Sequence, residues 1–508
     1  MLCIKKLPSY SINRFLFILQ RRHKSKKEHW AVERRKKTPS MKALEHFDDF
    51  YRKVFGSQWP SVRLALLSPH KYCAVVNNFG DTEQTVTYFQ NQGALDLKTH
   101  LELGRKLADE NLIREDDDFP NAQKLDERIK KLAFSKQQQE AEEMYPPTEE
   151  GVQLAQHQSA SNKEEEVVQR ADYNAKDFSL EASKKLSQID ESRNVSPALG
   201  LSAGALYEFI PATKLKGLED RVLDSEHYSY YSGDTDFPLT VKKEFDLNYP
   251  DHLKVFMYER GNVTSFESPK RGSTGVFNYY LMDGGSVLPV LALGIEPGDT
   301  VLDMCAAPGG KSLVMLQTLH TGRLVCNDVQ ESRTKRIHSV LNQYLYDLPK
   351  WKDQIEVTKS DGRGIEQESM FDKVLVDVPC TTDRHSLHED DNSIFNVARL
   401  KERLRLPELQ SQLLMNALKL VKPGGTVVYS TCSLSPIQND GVVHMALQKI
   451  WEETKVEVEV RDLSPALQGA KSVFKFGDNI GLRYGHLVLP FLPCNFGPLY
   501  FCKIVRTK

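Results

Sequence analysis

The 508-residue chain lacks any run of 18 apolar residues, so no membrane-spanning helix is expected. Phe15-Leu16-Phe17-Ile18-Leu19 is far too short. Its eight cysteines (Cys3, Cys73, Cys305, Cys326, Cys380, Cys432, Cys494 and Cys502) include no C-x-x-C pair. That spacing excludes the common zinc modules, and so few cysteines in so long a chain argue against a disulfide framework. In a reducing compartment any special cysteine then serves chemistry. His385 and His388 stand near Glu389, but a convincing third ligand is missing, so no metal site is expected and the stretch reads as a loop. Acid is missing too: no Asp or Glu precedes Glu28, whereas the first 27 residues carry Lys5, Lys6, Arg14, Arg21, Arg22, Lys24, Lys26 and Lys27. With interspersed apolar residues and serines this is the composition of an organelle transit peptide, placed over residues 1–40; a disordered basic arm for nucleic acid is the alternative. Removing those eight charges from a formal net charge of −2 leaves about −10. A mature chain so acidic is poorly suited to hold RNA alone, because phosphate neutralisation dominates that affinity. If the substrate is RNA, a basic partner or a local basic patch must help.

Two segments follow the leader. Residues 41–108 read as a helical extension: Leu44, Phe47, Phe50 and Tyr51 share one face, and Ala94–Leu107 fits a second amphipathic helix. Residues 109–250 contain Glu115-Asp116-Asp117-Asp118, Gln137-Gln138-Gln139, Pro146-Pro147 and Lys163-Glu164-Glu165-Glu166, with few large apolar residues. Such a stretch cannot bury enough surface to offset its ordering entropy and reads as an acidic, largely disordered insertion.

From about 251 to 508 strands and helices alternate. Candidate strands are Leu253–Tyr258, Thr300–Met304, Arg323–Asp328, Ile355–Ser360, Lys373–Val378, Thr426–Ser430, Val456–Val460 and Leu499–Val505. Candidate helices are Tyr279–Leu293, Gly310–Leu319, Arg333–Tyr344 and Leu406–Val421. The pattern predicts an α/β, doubly wound, Rossmann-like parallel sheet. Ligands of such sheets sit beyond the carboxyl ends of the strands, so residues just past 304, 328, 361, 378 and 431 should share one crevice.

The centre of that crevice is Val301-Leu302-Asp303-Met304-Cys305-Ala306-Ala307-Pro308-Gly309-Gly310-Lys311-Ser312. An apolar strand stops at a glycine turn and a helix begins, and helix N-termini favour anionic groups. Gly310-Lys311-Ser312 matches the end of a P-loop, yet Cys305 stands where that motif needs its first glycine, and Pro308 removes an amide donor. The other reading is the cofactor loop of a methyltransferase. Asp328, 18 residues after Gly310, is placed to accept from ribose hydroxyls, and Asp361-Gly362 to accept from an adenine amino group. Asp377-Val378-Pro379-Cys380 and Ser430-Thr431-Cys432-Ser433 each put a cysteine at a strand terminus. Strands lie about 4.8 Å apart, so the two thiols could face one substrate. Methylation at nitrogen would need no such pair.

These stretches, with Tyr279-Tyr280-Leu281-Met282-Asp283, Thr381-Thr382-Asp383-Arg384-His385-Ser386-Leu387-His388-Glu389 and Asn495-Phe496-Gly497-Pro498-Leu499-Tyr500-Phe501-Cys502-Lys503, resemble the Sun-domain (NSUN) family of RNA 5-methylcytosine methyltransferases, and within it a mitochondrial rRNA enzyme. The resemblance covers about residues 251–508 and implies a class I S-adenosylmethionine-dependent fold. It implies Gly309, Gly310, Lys311, Asp328, Arg333, Asp361, Gly362 and Asp377 as cofactor residues, and Cys432, Cys380 and Asp377 as catalytic ones. Spacing alone does not say which thiol attacks cytosine C6. The RNA family uses the Thr-Cys-Ser cysteine, here Cys432, with Cys380 aiding release. Implied partners are small-subunit rRNA, the mitochondrial ribosomal subunit and a protein of the mitochondrial transcription-termination-factor family, in the matrix and without membrane attachment. A non-catalytic ribosome-assembly factor on the same fold is the alternative.

Overall fold

The computed structural model describes residues 37–109, 237–478 and 480–508. Most of the expected leader and most of the expected insertion lie outside these; the described residues include 37–40 of the former and 237–250 of the latter. Thr38 accepts the N–H of Met41 and Pro39 opens the first helix, α1 (Pro39–Phe55), a well-formed N-terminus. Ala43, Phe47, Tyr51 and Phe55 recur every fourth residue and are buried. Then come α2 (Trp59–Leu67), β1 (Cys73–Val76), α3 (Thr82–Asn91), β2 (Leu95–Asp96) and α4 (Leu97–Asp109). The extension is therefore not purely helical, and the helix expected from Ala94 starts only at Leu97.

Three strands follow: β3 (Thr240–Lys243), β4 (Val255–Met257) and β5 (Tyr279–Met282). Two expectations fail here. Leu253–Tyr258 was read into the doubly wound sheet and Tyr279–Leu293 into one helix. Instead β1 pairs antiparallel with both β4 and β5, setting Ala74 between Phe256 and Leu281. With β2 on β4 this makes a separate sheet in the order β2-β4-β1-β5. The physical reason is local. Aromatic Tyr279-Tyr280 favours strand, and Asp283 caps a short 3₁₀ turn over Gly284–Val287, so the α-helix α5 spans only Leu288–Leu293.

The remaining elements are β6 (Asp299–Asp303), α6 (Gly310–Gln317), β7 (Thr321–Asn327), α7 (Glu331–Tyr344), β8 (Ile355–Thr358), β9 (Phe371–Asp377), α8 (Asp383–His388), α9 (Leu400–Leu420), β10 (Val421–Thr431), α10 (Val442–Glu453), β11 (Val458–Asp462), β12 (Lys475–Phe476), β13 (His486–Leu489) and β14 (Leu499–Arg506). Their sheet runs β12-β13-β14-β10-β9-β6-β7-β8. β6 to β10 are parallel, β14 is antiparallel to β10, and β11 carries β3 at the margin. β6 neighbours both β7 and β9, so the winding reverses beside it. The expected doubly wound architecture is present.

Strand alternation fixes the register. Leu302, Met304, Val374 and Val376 enter the core shared with α1, α9 and α10, while Val301, Leu324 and Leu375 enter the core shared with α5, α6 and α7. Each fully buried Leu or Val contributes about 1.5–3 kcal/mol, so a one-residue slip would forfeit both faces together. The carboxyl ends of β6 to β10 are thereby held on one edge. Among the described residues no helix is long and apolar enough to cross a membrane.

Candidate active site

At the end of β6, Gly309 holds φ at +107°, a conformation that only glycine adopts without strain, and α6 starts at the next residue. A Cβ on Gly310 would sit 3.0 Å from the Tyr280 ring, so this turn needs a bare backbone. Asp303 is buried beneath it, accepting from Ser312 Oγ at 2.6 Å, with its Oδ1 unpartnered among the described residues. Burial pushes this carboxyl up to about 7, against the lowering effect of the Ser312 bond. Its pKa is above the unfolded value, so its stabilising protonation is complete below about pH 4 and is lost as pH rises to about 7. Asp303→Asn is therefore expected to gain stability relative to the parent across that window, by up to a few kcal/mol; melting curves of both proteins at each pH check this.

Lys311 reaches from α6 to the end of β9, where its Nζ lies 2.7 Å from Asp377 Oδ2. Asp377 Oδ1 accepts from Ser430 Oγ on β10 at 2.7 Å. Burial alone would lower the lysine, but the charge and hydrogen bond of Asp377 outweigh it and raise its pKa. After β7, buried Asp328 accepts from Arg333 Nε at 3.0 Å and the Gln330 N–H at 3.1 Å. Arg333 also donates to the Ala307 carbonyl at 3.1 Å, tying the glycine turn to β7. After β8, exposed Asp361 caps Gly362–Gly364 and is gripped by Arg363, whose hydrogen bond holds it below the usual carboxylate range. A Cβ on Gly362 would approach Met304 Cγ to 2.8 Å, so glycine is required there by packing.

The two cysteines meet. Ser430 pairs with Asp377 in the β9–β10 ladder, so Cys380 and Cys432 leave adjacent strand ends, and their Sγ atoms lie 3.1 Å apart. Both thiols are free. The hydrogen bond with Cys380 and then burial push the Cys432 thiol well above its ordinary range, and Lys311 opposes them. All eight sequence-indicated cofactor positions and both thiols lie along this one rim.

The 16S rRNA methyltransferase RsmB/F family matches residues 290–479. The 5-cytosine rRNA methyltransferase NSUN4 of Xenopus tropicalis is 34% identical over 490 residues, spanning 96% of this chain and 95% of the relative. The chain belongs to the Sun-domain family of S-adenosylmethionine-dependent RNA cytosine-5 methyltransferases. The mitochondrial tRNA (cytosine(34)-C(5))-methyltransferase of Danio rerio is 40% identical over 230 residues, 45% of this chain and 60% of that one. A solved methyltransferase homologue from Pyrococcus horikoshii shares 26% identity over 50% of this chain and 75% of its own, with a TM-score of 0.37. The expected enzyme class and cofactor therefore stand.

Family motifs give no reason for what braces this Sun-domain site. Gln438, in a π turn over Ile437–Gly441, accepts the Thr381 N–H at 3.1 Å, and Asn439 donates to the Ser433 carbonyl at 2.9 Å. Such turns recur at functional sites. Gln410 on α9 donates to the Pro379 carbonyl at 2.8 Å. Buried Asp383 and Tyr51 also escaped the sequence reading; a buried tyrosine hydroxyl needs a partner, which was the available signal. His388 bonds the Leu66 carbonyl at 2.9 Å, and His385 sits 3.6 Å from Glu389. Of the basic stretch on α9, Lys401 and Arg405 are exposed, whereas Arg403 lies over the Phe395 ring.

Proposed function

We propose that this chain methylates cytosine C5 in the small-subunit rRNA of mitochondria through a covalent link between Cys432 and cytosine C6. The observation that carries the reading is the pair of thiols 3.1 Å apart beside Asp377. Cytosine C5 is a poor nucleophile; thiolate addition at C6 moves electron density onto C5 and splits one hard step into two. Cys432 attacks. Asp377, oriented by Lys311 and Ser430, hydrogen-bonds at N3 of the adduct. Once C5 carries the methyl group, a base removes the C5 proton, the electrons re-form the C5–C6 double bond, and Cys380 assists as the C6–S bond breaks.

The rim fits S-adenosylmethionine. The turn at Gly309-Gly310 leaves the backbone bare; Asp328 is assigned as acceptor for the ribose hydroxyls, Asp361 for the adenine amino group, and the Lys311–Asp377 pair to the reacting end. When bound, the cofactor supplies an electrophilic methyl group. Gly362 keeps the β8 turn close against Met304, and Arg333 acts by holding the turn to Asp328.

Residues 1–40 serve as the matrix-targeting leader, 41–108 as an extension on the catalytic domain (251–508), and 109–250 as an acidic linker whose end, β3, joins the catalytic sheet through β11. A protein of the mitochondrial transcription-termination-factor family supplies the basic RNA surface that the acidic mature chain lacks, and the pair acts in ribosome assembly. Support comes from the basic leader, with no acid in its first 27 residues, the charge balance and the rRNA enzymes among the relatives. Bisulfite sequencing of mitochondrial RNA with and without the protein tests this. A cytosine in small-subunit rRNA should lose its resistance to conversion when the protein is absent; unchanged rRNA with an altered tRNA cytosine would overturn the substrate assignment.

A further inference from the structure

Two thiols on separate loops need something to hold their spacing, and one carboxylate touches both loops. Asp383 is fully buried. On the Cys380 side it accepts from the Thr381 hydroxyl. On the Cys432 side it accepts from the Leu434 N–H at 2.7 Å, with the Ser433 hydroxyl 3.3 Å from both its oxygens. Its own N–H points to the Cys432 carbonyl at 3.4 Å. The Thr381 and Ser433 hydroxyls are themselves 2.8 Å apart, so the two loops are stitched directly beside each cysteine.

The fourth donor comes from far away in sequence. Tyr51 of α1 places its hydroxyl 2.6 Å from Asp383 Oδ2. Burial raises the pKa of this carboxyl, and the bonds from Thr381, Tyr51, Leu434 and Ser433 work against that rise. The next residue fastens the same strap. Arg384, buried, donates to the Ala65 and Ser68 carbonyls at 3.0 Å, at the C-terminal end of α2, where a cation is favoured. It also donates to the Gly497 carbonyl and to Asn495 Oδ1, each at 2.8 Å. The segment after Cys380 is thus clamped between the N-terminal helices and the loop before β14.

We propose that Asp383, with Tyr51 donating to it from α1, is a positioning residue for methyl transfer that sets the separation of the Cys380 and Cys432 thiols, making the N-terminal helix part of the catalytic centre. The inference rests on the reading of those thiols as nucleophile and release group. Both must serve the same cytosine in turn, and misplacement of reacting groups by an ångström costs large factors in rate.

The test uses full-length Tyr51→Phe, which deletes one oxygen, and Asp383→Asn, which keeps the side chain's shape. Expected are losses in kcat of about tenfold and about a hundredfold, with RNA KM and cofactor affinity unchanged. The second readout is the rate at which the dithiol oxidant diamide joins the thiols. Diamide takes up both protons and two electrons as the S–S bond forms, and peptide mass spectrometry follows the linked pair. That rate should fall in both variants. If Tyr51→Phe keeps the parental kcat and linking rate, showing only a lower melting temperature, the role is structural and the proposal fails; Tyr51→Phe decides even where Asp383→Asn does not fold. A parent protein whose Cys380→Ala form gives no covalent RNA adduct would instead overturn the assignment of the thiols, a separate failure.

Discussion

Replacement of Cys432 by alanine is expected to lower methyl transfer by at least about 10⁴-fold while cofactor binding persists. The size follows from the chemistry. Without a nucleophile at C6 the pyrimidine ring has no enamine form, and positioning alone must then carry the reaction. The proposed cofactor positions Gly309, Asp328 and Asp361 lie at other strand ends, so they survive the change. The state of the thiol adds a pH signature. The bond to Cys380 and burial hold Cys432 largely protonated near neutrality, so the adduct-forming step in the parent enzyme should accelerate as pH rises above 7. Transfer of labelled methyl groups in single-turnover experiments over a range of pH checks both the loss and the slope. A Cys432→Ala enzyme retaining a tenth of parental activity would refute the assignment.

Asp377→Ala is expected to produce the second large loss, about 10²–10⁴-fold in kcat, and to destabilise the protein as well. Asp377 is held by two groups: Lys311 from α6 on Oδ2 and Ser430 from β10 on Oδ1. The lysine side chain is only 13% exposed. Removing its carboxylate leaves a nearly buried ammonium without its counter-ion, which costs on the order of 3 kcal/mol. The Lys311 pKa, raised by Asp377 in the parent, should then fall. Asp377→Asn keeps an acceptor for Ser430 and should recover much of the stability but little of the rate. Parallel kcat measurements and urea denaturation separate the two effects; equal recovery of both would mean that Asp377 is a structural counter-ion only.

The strand ends were the legible part of this molecule. Thr300–Met304, Lys373–Val378 and Thr426–Ser430 are β-branched runs closed by polar or glycine turns, and a buried parallel strand can hardly be written otherwise. Once the sheet is doubly wound, every cofactor position and both cysteines fall on the same edge. The failures share a cause. Cys73-Ala74-Val75-Val76 is short and buried throughout, so it has neither strand alternation nor helical period to betray it. Its partners lie some 180 to 209 residues on, at Phe256 and Leu281 among others, and no local pattern encodes such a pairing. Misreading Tyr279–Leu293 as a helix followed from the same omission, since the strand there exists to cover β1. The bond from Tyr51 to Asp383 spans 332 residues and likewise had no local signal beyond a hydroxyl on an apolar helix face.

The central claim is that Cys432 bonds to cytosine C6 and Cys380 lets it go. The most direct measurement is mass spectrometry of the species trapped when the Cys380→Ala enzyme turns over its RNA with S-adenosylmethionine. A denaturant-stable adduct should accumulate, with the modified cytosine on the peptide that contains Cys432. An adduct carried by any other residue, or one that forms in Cys432→Ala through Cys380, would contradict the account.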